Sequence, residues 1–261
     1  MGKFITIGER IHCISPVIRT AMANRDPAPI LQRAEEQLKA GADYLDVNIG
    51  PAESDGEDLM KWAVQLIQSN FDNVPLALDT ANQKAIEAGI SVYNRSKGKP
   101  IVNSADAGDR ISNIDLAAAN DAIVIALCSK QGVPADVEER MTYLMEMLEL
   151  GLGLGMDSDD MWFDPLFIVI KGMQDKLGDV LEAIRQFTEQ GFKTTGGLSN
   201  VSNGMPKDVR PIMDSAMIAM AMQAGLSSAI INPCSKRMMD TIKSCDIIKN
   251  NMLYADSYLE L

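Results

Sequence analysis

Eight short apolar runs, each followed by a helix-like segment, constrain the fold of this chain more than any other feature. The runs are Phe4–Ile7, Tyr44–Ile49, Pro75–Leu78, Pro100–Val102, Ala122–Leu127, Met161–Phe163, Thr194–Leu198 and Ser228–Ile231. Strands that alternate with helices are typical of a parallel sheet joined by crossover helices. Eight repeats in 261 residues favour a closed (β/α)8 barrel of the TIM type, which we expect to form a single domain over residues 1–261.

The helix-like segments carry the residues that commonly begin and end helices. The clearest segments are Ala28–Ala40, Leu59–Ser69, Gln83–Tyr93, Val137–Leu150, Gly178–Gln190, Arg210–Ala224 and Lys236–Asn250. Asp26, directly before Pro27, predicts an N-cap. Glycines that follow helical stretches predict left-handed C-terminal caps, and these are Gly41, Gly151, Gly191 and Gly225.

An open doubly wound sheet is the alternative architecture, and the sequence disfavours it. No G-x-G-x-x-G follows the first strand. The segment from Gly151 to Gly155 has glycine at alternate positions, but it follows a helix, and we predict a loop there rather than a dinucleotide cradle. No change in composition marks a second domain.

Composition and charge exclude several classes of protein. The net charge of −12 and the pI near 4.6 argue against a broad basic face for nucleic acid or an anionic membrane. No apolar run reaches the length of a membrane span, and the first residues do not resemble a signal peptide, so we expect a cytoplasmic protein. The four cysteines are scattered and the one histidine, His12, has no cysteine motif beside it, so the spacing supports no metal site.

Polar residues end or follow seven of the eight strand-like runs, where a barrel of this type forms its site. In chain order they include Glu9, Asp46, Asn48, Asp79, Asn103, Asp164, Ser199, Asn200 and Asn232. At any single position, a turn or a helix cap explains Asp or Asn equally well. For so many in succession, several of them within the strand pattern, we predict a ring of carboxylates and amides that faces one pocket.

Such a ring suits a ligand with paired N–H donors and ring nitrogens. A carboxylate can accept two hydrogen bonds from an amidine-like edge, as it does from an arginine, and a 2-amino-4-oxo-pterin has such an edge. A phosphate ligand would instead favour glycine-rich backbone amides at a helix start. Because Gly196, Gly197 and Gly204 lie in the seventh unit, a phosphate-binding barrel remains an alternative at this stage.

Five motifs, in order, resemble those of the pterin-binding barrels, and specifically of the methyltetrahydrofolate:corrinoid methyltransferases. They are Asp46-Val47-Asn48-Ile49-Gly50-Pro51, Leu78-Asp79-Thr80, Val102-Asn103-Ser104, Phe163-Asp164-Pro165-Leu166 and Gly197-Leu198-Ser199-Asn200-Val201-Ser202. The resemblance spans nearly the whole chain. Family members include the methyltransferases of acetogenic carbon fixation and of O-demethylase systems and the folate module of methionine synthase.

The resemblance implies transfer of a methyl group between N5 of tetrahydrofolate and the cobalt of a corrinoid. Asp79, Asn103 and Asp164 would hold the pterin edge, and Asp46 and Asn48 would support the pocket. Asn200 would hydrogen-bond near N5. We predict four further substrate-binding residues, which are Gly197, Ser199, Arg210 and Glu9. Arg210 would bind the p-aminobenzoyl-glutamate end of the folate or the partner protein.

The resemblance also bears on partners and alternatives. The chain lacks the D-x-H-x-x-G corrinoid signature, so we expect a separate corrinoid protein and, as in the family, a homodimer. Dihydropteroate synthases share the barrel but end in a basic S-R-K and R-x-H pattern. At the ends of the seventh and eighth strands this chain has instead Leu198-Ser199-Asn200 and Asn232-Pro233-Cys234. This difference favours methyl transfer over pteroate synthesis. A non-catalytic scaffold that binds pterin or a corrinoid protein is the alternative from another class.

Overall fold

A computed structural model describes residues 2–52, 54–72 and 74–256 and places eight parallel strands in one sheet. The strands are β1 Ile5–His12, β2 Tyr44–Asn48, β3 Leu76–Asp79, β4 Ile101–Asp106, β5 Ile123–Leu127, β6 Met161–Asp164, β7 Lys193–Thr194 and β8 Ser228–Ile231. The helices are α1 Pro16–Asn24, α2 Pro27–Lys39, α3 Gly56–Asn70, α4 Gln83–Ser91, α5 Asn113–Ala119, α6 Val137–Gly153, α7 Leu177–Glu189, α8 Arg210–Ala224 and α9 Lys236–Ile248.

The sheet closes on itself, which confirms the predicted (β/α)8 barrel. Neighbouring strands follow the order β7-β6-β5-β4-β3-β2-β1-β8, and every ladder is parallel. A parallel bridge between Gly197 and Ile230 joins the segment after β7 to β8. There the N–H of Ile230 donates to the carbonyl of Gly196 at 2.9 Å. Closure leaves the carboxyl ends of all eight strands at one mouth.

The inside of the barrel is a packed core. Ile7, Ala77, Ile101 and Ile125 are buried there, and Tyr44 meets Trp162 edge to face with ring centroids 5.9 Å apart. The outward sides of the strands pack against the helices in two larger apolar clusters. Aliphatic and aromatic side chains fill this part of the lumen, so the cavity at the carboxyl ends of the strands lies above them.

Several predicted strand boundaries shift, and the prediction for β7 was wrong. That strand is only Lys193–Thr194, and Leu198–Asn200 forms a single 3-10 turn. Its predicted length included Gly196 and Gly197, which lack side chains that could pack on a pleated surface. Strands β1 and β4 run further than expected, so Glu9 and Asn103 lie within strands rather than after them.

Two helices that the sequence analysis did not predict complete the fold. Helix α1 covers Pro16–Asn24 and helix α5 covers Asn113–Ala119. The expected caps at Asp26, Gly41, Gly191 and Gly225 are confirmed by a side-chain cap at the first and by positive φ at the glycines. The prediction at Gly151 was wrong, because α6 continues to Gly153, and the left-handed glycine after it is Gly155.

Within the described part of the chain, no helix is long and apolar enough to cross a membrane.

Gly225, which ends α8, allows a stability prediction. Its φ is +120°, and a Cβ there would lie 2.5 Å from the Thr188 hydroxyl, so Gly225→Ala should lower the free energy of unfolding by about 2–4 kcal/mol through backbone strain and overpacking. Gly153→Ala is the matched control, because nothing lies within 4 Å of its Cβ position, and it should be neutral or stabilising by up to about 1 kcal/mol. Urea unfolding of the two variants measures the difference, and equal effects would contradict the prediction.

Candidate active site

The side chains that face the barrel lumen change from apolar to polar toward the mouth. On β2, Tyr44 packs in the lumen core, whereas Asp46 and Asn48 line the cavity above it. The same change along other strands runs from Ile7 to Glu9, from Ala77 to Asp79, from Ile101 to Asn103 and from Trp162 to Asp164. Residues two apart on a strand share a face. The alternation therefore builds a polar ring directly on an apolar floor.

A cavity of about 850 Å³ opens at this mouth, and all of the predicted site residues line it. They are Glu9, Asp46, Asn48, Asp79, Asn103, Asp164, Gly197, Ser199, Asn200 and Arg210. Ile125 and Ile230 contribute apolar surface to the same cavity. The structure therefore brings together residues spread over most of the chain, while the role of each toward a ligand stays a prediction.

Two carboxylate–amide pairs connect strands β2, β3 and β4 on one side of the cavity, one between the neighbours β2 and β3 and one from β4 across to β2. The Asn103 amide donates to Asp46 at 2.9 Å, and the Asn48 amide donates to Asp79. The register explains the second pair, because Asn48 lies opposite Asp79, which in turn lies opposite Asn103. Each amide donates to one oxygen of its carboxyl partner.

Asp164 at the end of β6 is held by backbone rather than by side chains. The N–H groups of Leu166, at 2.8 Å, and of Gly197 donate to its carboxyl group. Gly196 makes this close approach possible, because a Cβ there would lie 2.4 Å from the ring of Phe167. The glycine pair thus brings the segment after β7 against β6 and holds the Asp164 carboxyl in place.

Glu9, on the strand next to β2, forms a separate pair with a hydroxyl. The Ser199 hydroxyl lies 2.8 Å from both oxygens of the Glu9 carboxyl. Glu9 is on β1, where the register with β2 shifts between Gly8 and Ile11. The contact joins the first strand of the barrel to the loop that follows the seventh.

The loop between β7 and α8 places Asn200 at the exposed edge of the cavity. Its side-chain oxygen accepts from Asn203 at 3.4 Å, and the residue is exposed while it lines the cavity. Arg210 holds this loop, since its Nε donates to the buried Ser202 hydroxyl at 3.0 Å. Ser202 also contacts Asp214 on α8. Asn200 therefore sits on a loop anchored to the next helix.

Burial raises the pKa of every carboxyl group in the ring. The pKa of Asp164 and that of Glu9 each rise to about 7, and that of Asp79 rises to about 6. Burial also raises the pKa of Asp46 well above its usual value, and the charges of Asp79 and Glu9 add to the effect. Such shifts are typical of groups that exchange protons during a reaction. Near neutral pH this site holds protons that an exposed carboxylate would have lost.

Several cavity residues escaped the sequence analysis. Arg110, held by Asp106 at 2.7 Å, comes from the loop after β4, and Lys207 and Asp214 come from the segment around α8. Ser104 follows Asn103 on β4. The position of Ser104 next to a predicted site residue was the one available signal, because the other three lie outside the strand pattern.

Residues 2–52, 54–72 and 74–256 contain no metal-ligating cluster. No group of three or more His, Cys, Asp or Glu side chains there is placed to hold a metal ion. His12 lines the cavity, and burial lowers the pKa of its imidazole.

The family profile of the pterin-binding enzymes matches residues 15–232, well over half of the chain. The chain belongs to this family. Over 255 residues it is 28% identical to the methylcorrinoid:tetrahydrofolate methyltransferase of Eubacterium limosum, a match that covers 95% of this chain and 92% of that protein. It is also 28% identical over 244 residues, or 87% of this chain, to the methionine synthase of Mycobacterium leprae, of which it spans 20%. These relatives confirm the predicted resemblance to folate–corrinoid methyltransferases and the predicted enzyme class.

Solved structures of dihydropteroate synthases share the fold. The enzyme from Vibrio fischeri ES114 superposes with a TM-score of 0.76 at 17% identity, over 96% of this chain and 94% of that one. The Yersinia pestis enzyme gives a TM-score of 0.73 at 16% identity, over 95% of each chain. At these identities the likeness concerns the barrel alone, and it confirms the predicted pterin-binding fold.

The raised pKa of Asp164 predicts how stability changes with pH. Its pKa is about 7 in the folded chain and near 3.8 when unfolded, so the folded state holds the proton more tightly, and stability should fall as pH rises between these values. At about 1.4 kcal/mol for each pKa unit, wild type should lose about 1–4 kcal/mol more than Asp164→Asn between about pH 4 and about pH 8. Urea unfolding of both proteins across this pH range tests the prediction. An equal change in the free energy of unfolding with pH for the two proteins would contradict it.

Proposed function

We propose that this chain transfers a methyl group between N5 of tetrahydrofolate and the cobalt of a corrinoid that a separate protein carries. The observation that carries the proposal is the single cavity lined by Asp46, Asp79, Asn103, Asp164 and Asn200. Membership of the pterin-binding family and the similarity to a methylcorrinoid:tetrahydrofolate methyltransferase over 95% of the chain support it.

The carboxylates and amides would bind the pterin through its hydrogen-bonding edge. Asp79, Asn103 and Asp164 supply acceptors and donors from strands β3, β4 and β6 around the cavity. Asp46 and Asn48, on β2, hold Asn103 and Asp79 by the hydrogen bonds described above. Each residue held this way is fixed before the ligand arrives, so binding costs little side-chain entropy.

Asn200 would act at N5. When the CH3–N bond breaks, electron density remains on the nitrogen, and a donor already in place stabilises that charge. The Asn200 amide can donate such a hydrogen bond but cannot supply a proton. The mechanism therefore needs a second group that holds one.

The corrinoid would reach N5 from the open mouth of the barrel, where Asn200 is exposed. No stretch of the sequence carries the D-x-H-x-x-G signature, which supports a separate corrinoid protein as the partner. We extend the proposal to one cytoplasmic domain that forms a homodimer and acts in O-demethylation, on the strength of the family resemblance. Nucleic acid and membranes have no part in it.

Calorimetric titration with methyltetrahydrofolate, with dihydropterin pyrophosphate as comparator, tests the ligand. Selective binding of the folate supports the proposal, and methyl transfer from it to added cob(I)alamin completes it. Tight binding of the pyrophosphate alone would show a pteroate synthase. Binding of both without methyl transfer would show a non-catalytic pterin-binding protein.

Asp79→Ala should weaken folate binding first. Loss of a hydrogen bond to a charged group costs about 1.5–3 kcal/mol, which is roughly ten- to a hundredfold in Kd. Asp240→Ala is the control, since Asp240 pairs with Lys236 on the surface of α9. Calorimetry of both variants measures the effect, and normal folate affinity in Asp79→Ala would remove this residue from the pterin site.

Asn200→Ala should act on the rate instead. Loss of one donor that is already in place at the reacting atom lowers the rate constant by about two orders of magnitude, while the folate Kd stays within a fewfold of wild type. Single-turnover methyl transfer to cob(I)alamin gives the rate constant, and calorimetry gives the Kd. A weaker Kd with an unchanged rate constant would show that Asn200 binds the folate and takes no part in the transition state.

A further inference from the structure

Four carboxyl groups from the strands face the cavity, and the partner that each one has distinguishes them. A fifth, Asp214 on α8, pairs with the Ser202 hydroxyl, which is fully buried and does not line the cavity. Asp46 and Asp79 accept from amide groups of asparagines, and Asp164 accepts from backbone N–H groups. Amide N–H groups only donate, so they favour the ionised carboxylate and cannot pass a proton on. Glu9 has a different partner, the Ser199 hydroxyl.

A hydroxyl both donates and accepts, so it can relay a proton. The Ser199 oxygen lies 2.8 Å from each oxygen of Glu9, a distance at which either member of the pair can be the donor. Ser199 is also the residue before Asn200, and both belong to the single turn Leu198–Asn200. The one hydroxyl–carboxyl pair among the four therefore adjoins the residue that we place at N5.

We propose that Glu9, through the Ser199 hydroxyl, holds the proton that N5 takes up when the methyl group leaves and takes it back in the reverse direction. This inference rests on the proposed function. It assigns Glu9 to proton transfer rather than to binding of the pterin edge, which Asp79, Asn103 and Asp164 provide.

The step balances. The electron pair of the new methyl–cobalt bond comes from the reduced cobalt, which is oxidised from Co(I) to Co(III). The pair of the broken CH3–N bond stays on N5. The Ser199 hydroxyl gives its proton to N5 and receives one from Glu9, which is left as the carboxylate and is reprotonated from water at the cavity mouth. In reverse, the carboxylate draws the proton from N5–H as the nitrogen takes the methyl group.

The groups around Glu9 set the pKa of its carboxyl group in a range that suits proton exchange. Asp214 and Arg210 face it from α8 with opposite charges, and Asp46 faces it from β2. Burial has the largest effect on its pKa, and the charge of Asp214 adds to it. A pKa of about 7 gives comparable amounts of the acid and the base at neutral pH, which suits a reversible transfer.

Glu9→Gln tests the proposal, since it keeps the size and polarity of the side chain but cannot give up a proton. We expect the rate constant for methyl transfer from methyltetrahydrofolate to cob(I)alamin to fall by about 10²- to 10⁴-fold, with a folate Kd within about threefold of wild type. The wild-type rate should fall as pH rises through about 7, because the acid form is active in this direction. Glu9→Gln should lose that limb of the profile.

Substitutions at two further positions, Ser199 and Asp214, test the relay if Glu9→Gln folds poorly. Ser199→Ala should show the same rate loss, and Ser199→Thr, which restores the hydroxyl, should recover most of it. Asp214→Asn should move the limb to lower pH, because the charge of Asp214 raises the pKa of Glu9. Glu149→Gln, on the exposed side of α6, is the matched control and should leave both rate and profile unchanged.

The outcomes separate this inference from the function on which it rests. Folded Glu9→Gln with an unchanged rate and pH profile, in a chain whose wild type transfers the methyl group, would overturn only the role of Glu9. Loss of folate binding without loss of rate would place Glu9 in the pterin site and overturn the proton role. Absence of methyl transfer in the wild type would overturn both.

Discussion

Burial of carboxyl groups above an apolar floor is the constraint on which the rest of this structure depends. Ile7, Ala77 and Trp162 fill the lumen, so the residues two positions further along their strands meet neither bulk water nor a full set of partners. A buried carboxyl resists ionisation and shifts its pKa upward instead. A ligand that supplied the missing donors would recover the free energy that this arrangement costs, and the filled site would then be more stable than the empty one.

The sequence predicts the ring because strand periodicity determines it. Asp46 and Asn48 are two apart within one apolar run, and Asp79, Asn103 and Asp164 each stand where such a run ends. A closed parallel barrel brings all carboxyl ends to one mouth, so the fold alone converts these positions into neighbours. Strand periodicity required no knowledge of loops, and it accounts for Asp46, Asn48, Asp79, Asn103 and Asp164 in one cavity.

The parts that escaped prediction are those that periodicity does not determine. Gly196 and Gly197 extend an apolar run, but the first is needed for close packing against Phe167 and the second for close packing against Asn200, so a strand was predicted where the chain turns. Arg110 and Lys207 reach the cavity from loops, whose paths depend on tertiary contacts such as the pair between Arg110 and Asp106. The pairing of Glu9 with Ser199 joins residues 190 positions apart, and only the closed barrel makes it visible.

The shared barrel of pteroate synthases and folate methyltransferases shows where chemistry is decided on this fold. Both kinds of enzyme bind a pterin, and a polar ring on strands serves that purpose in either reaction. The segment after β7 is different, because it lies at the mouth, where its side chains would meet whatever reacts with a bound pterin. Directly after β7 this chain has Ser199 and Asn200, with Glu9 hydrogen-bonded to the first, and its basic residues, Lys207 and Arg210, come later in the segment. An amide and a proton-carrying hydroxyl suit a nitrogen that gains and loses a methyl group, whereas a leaving pyrophosphate would need cations there.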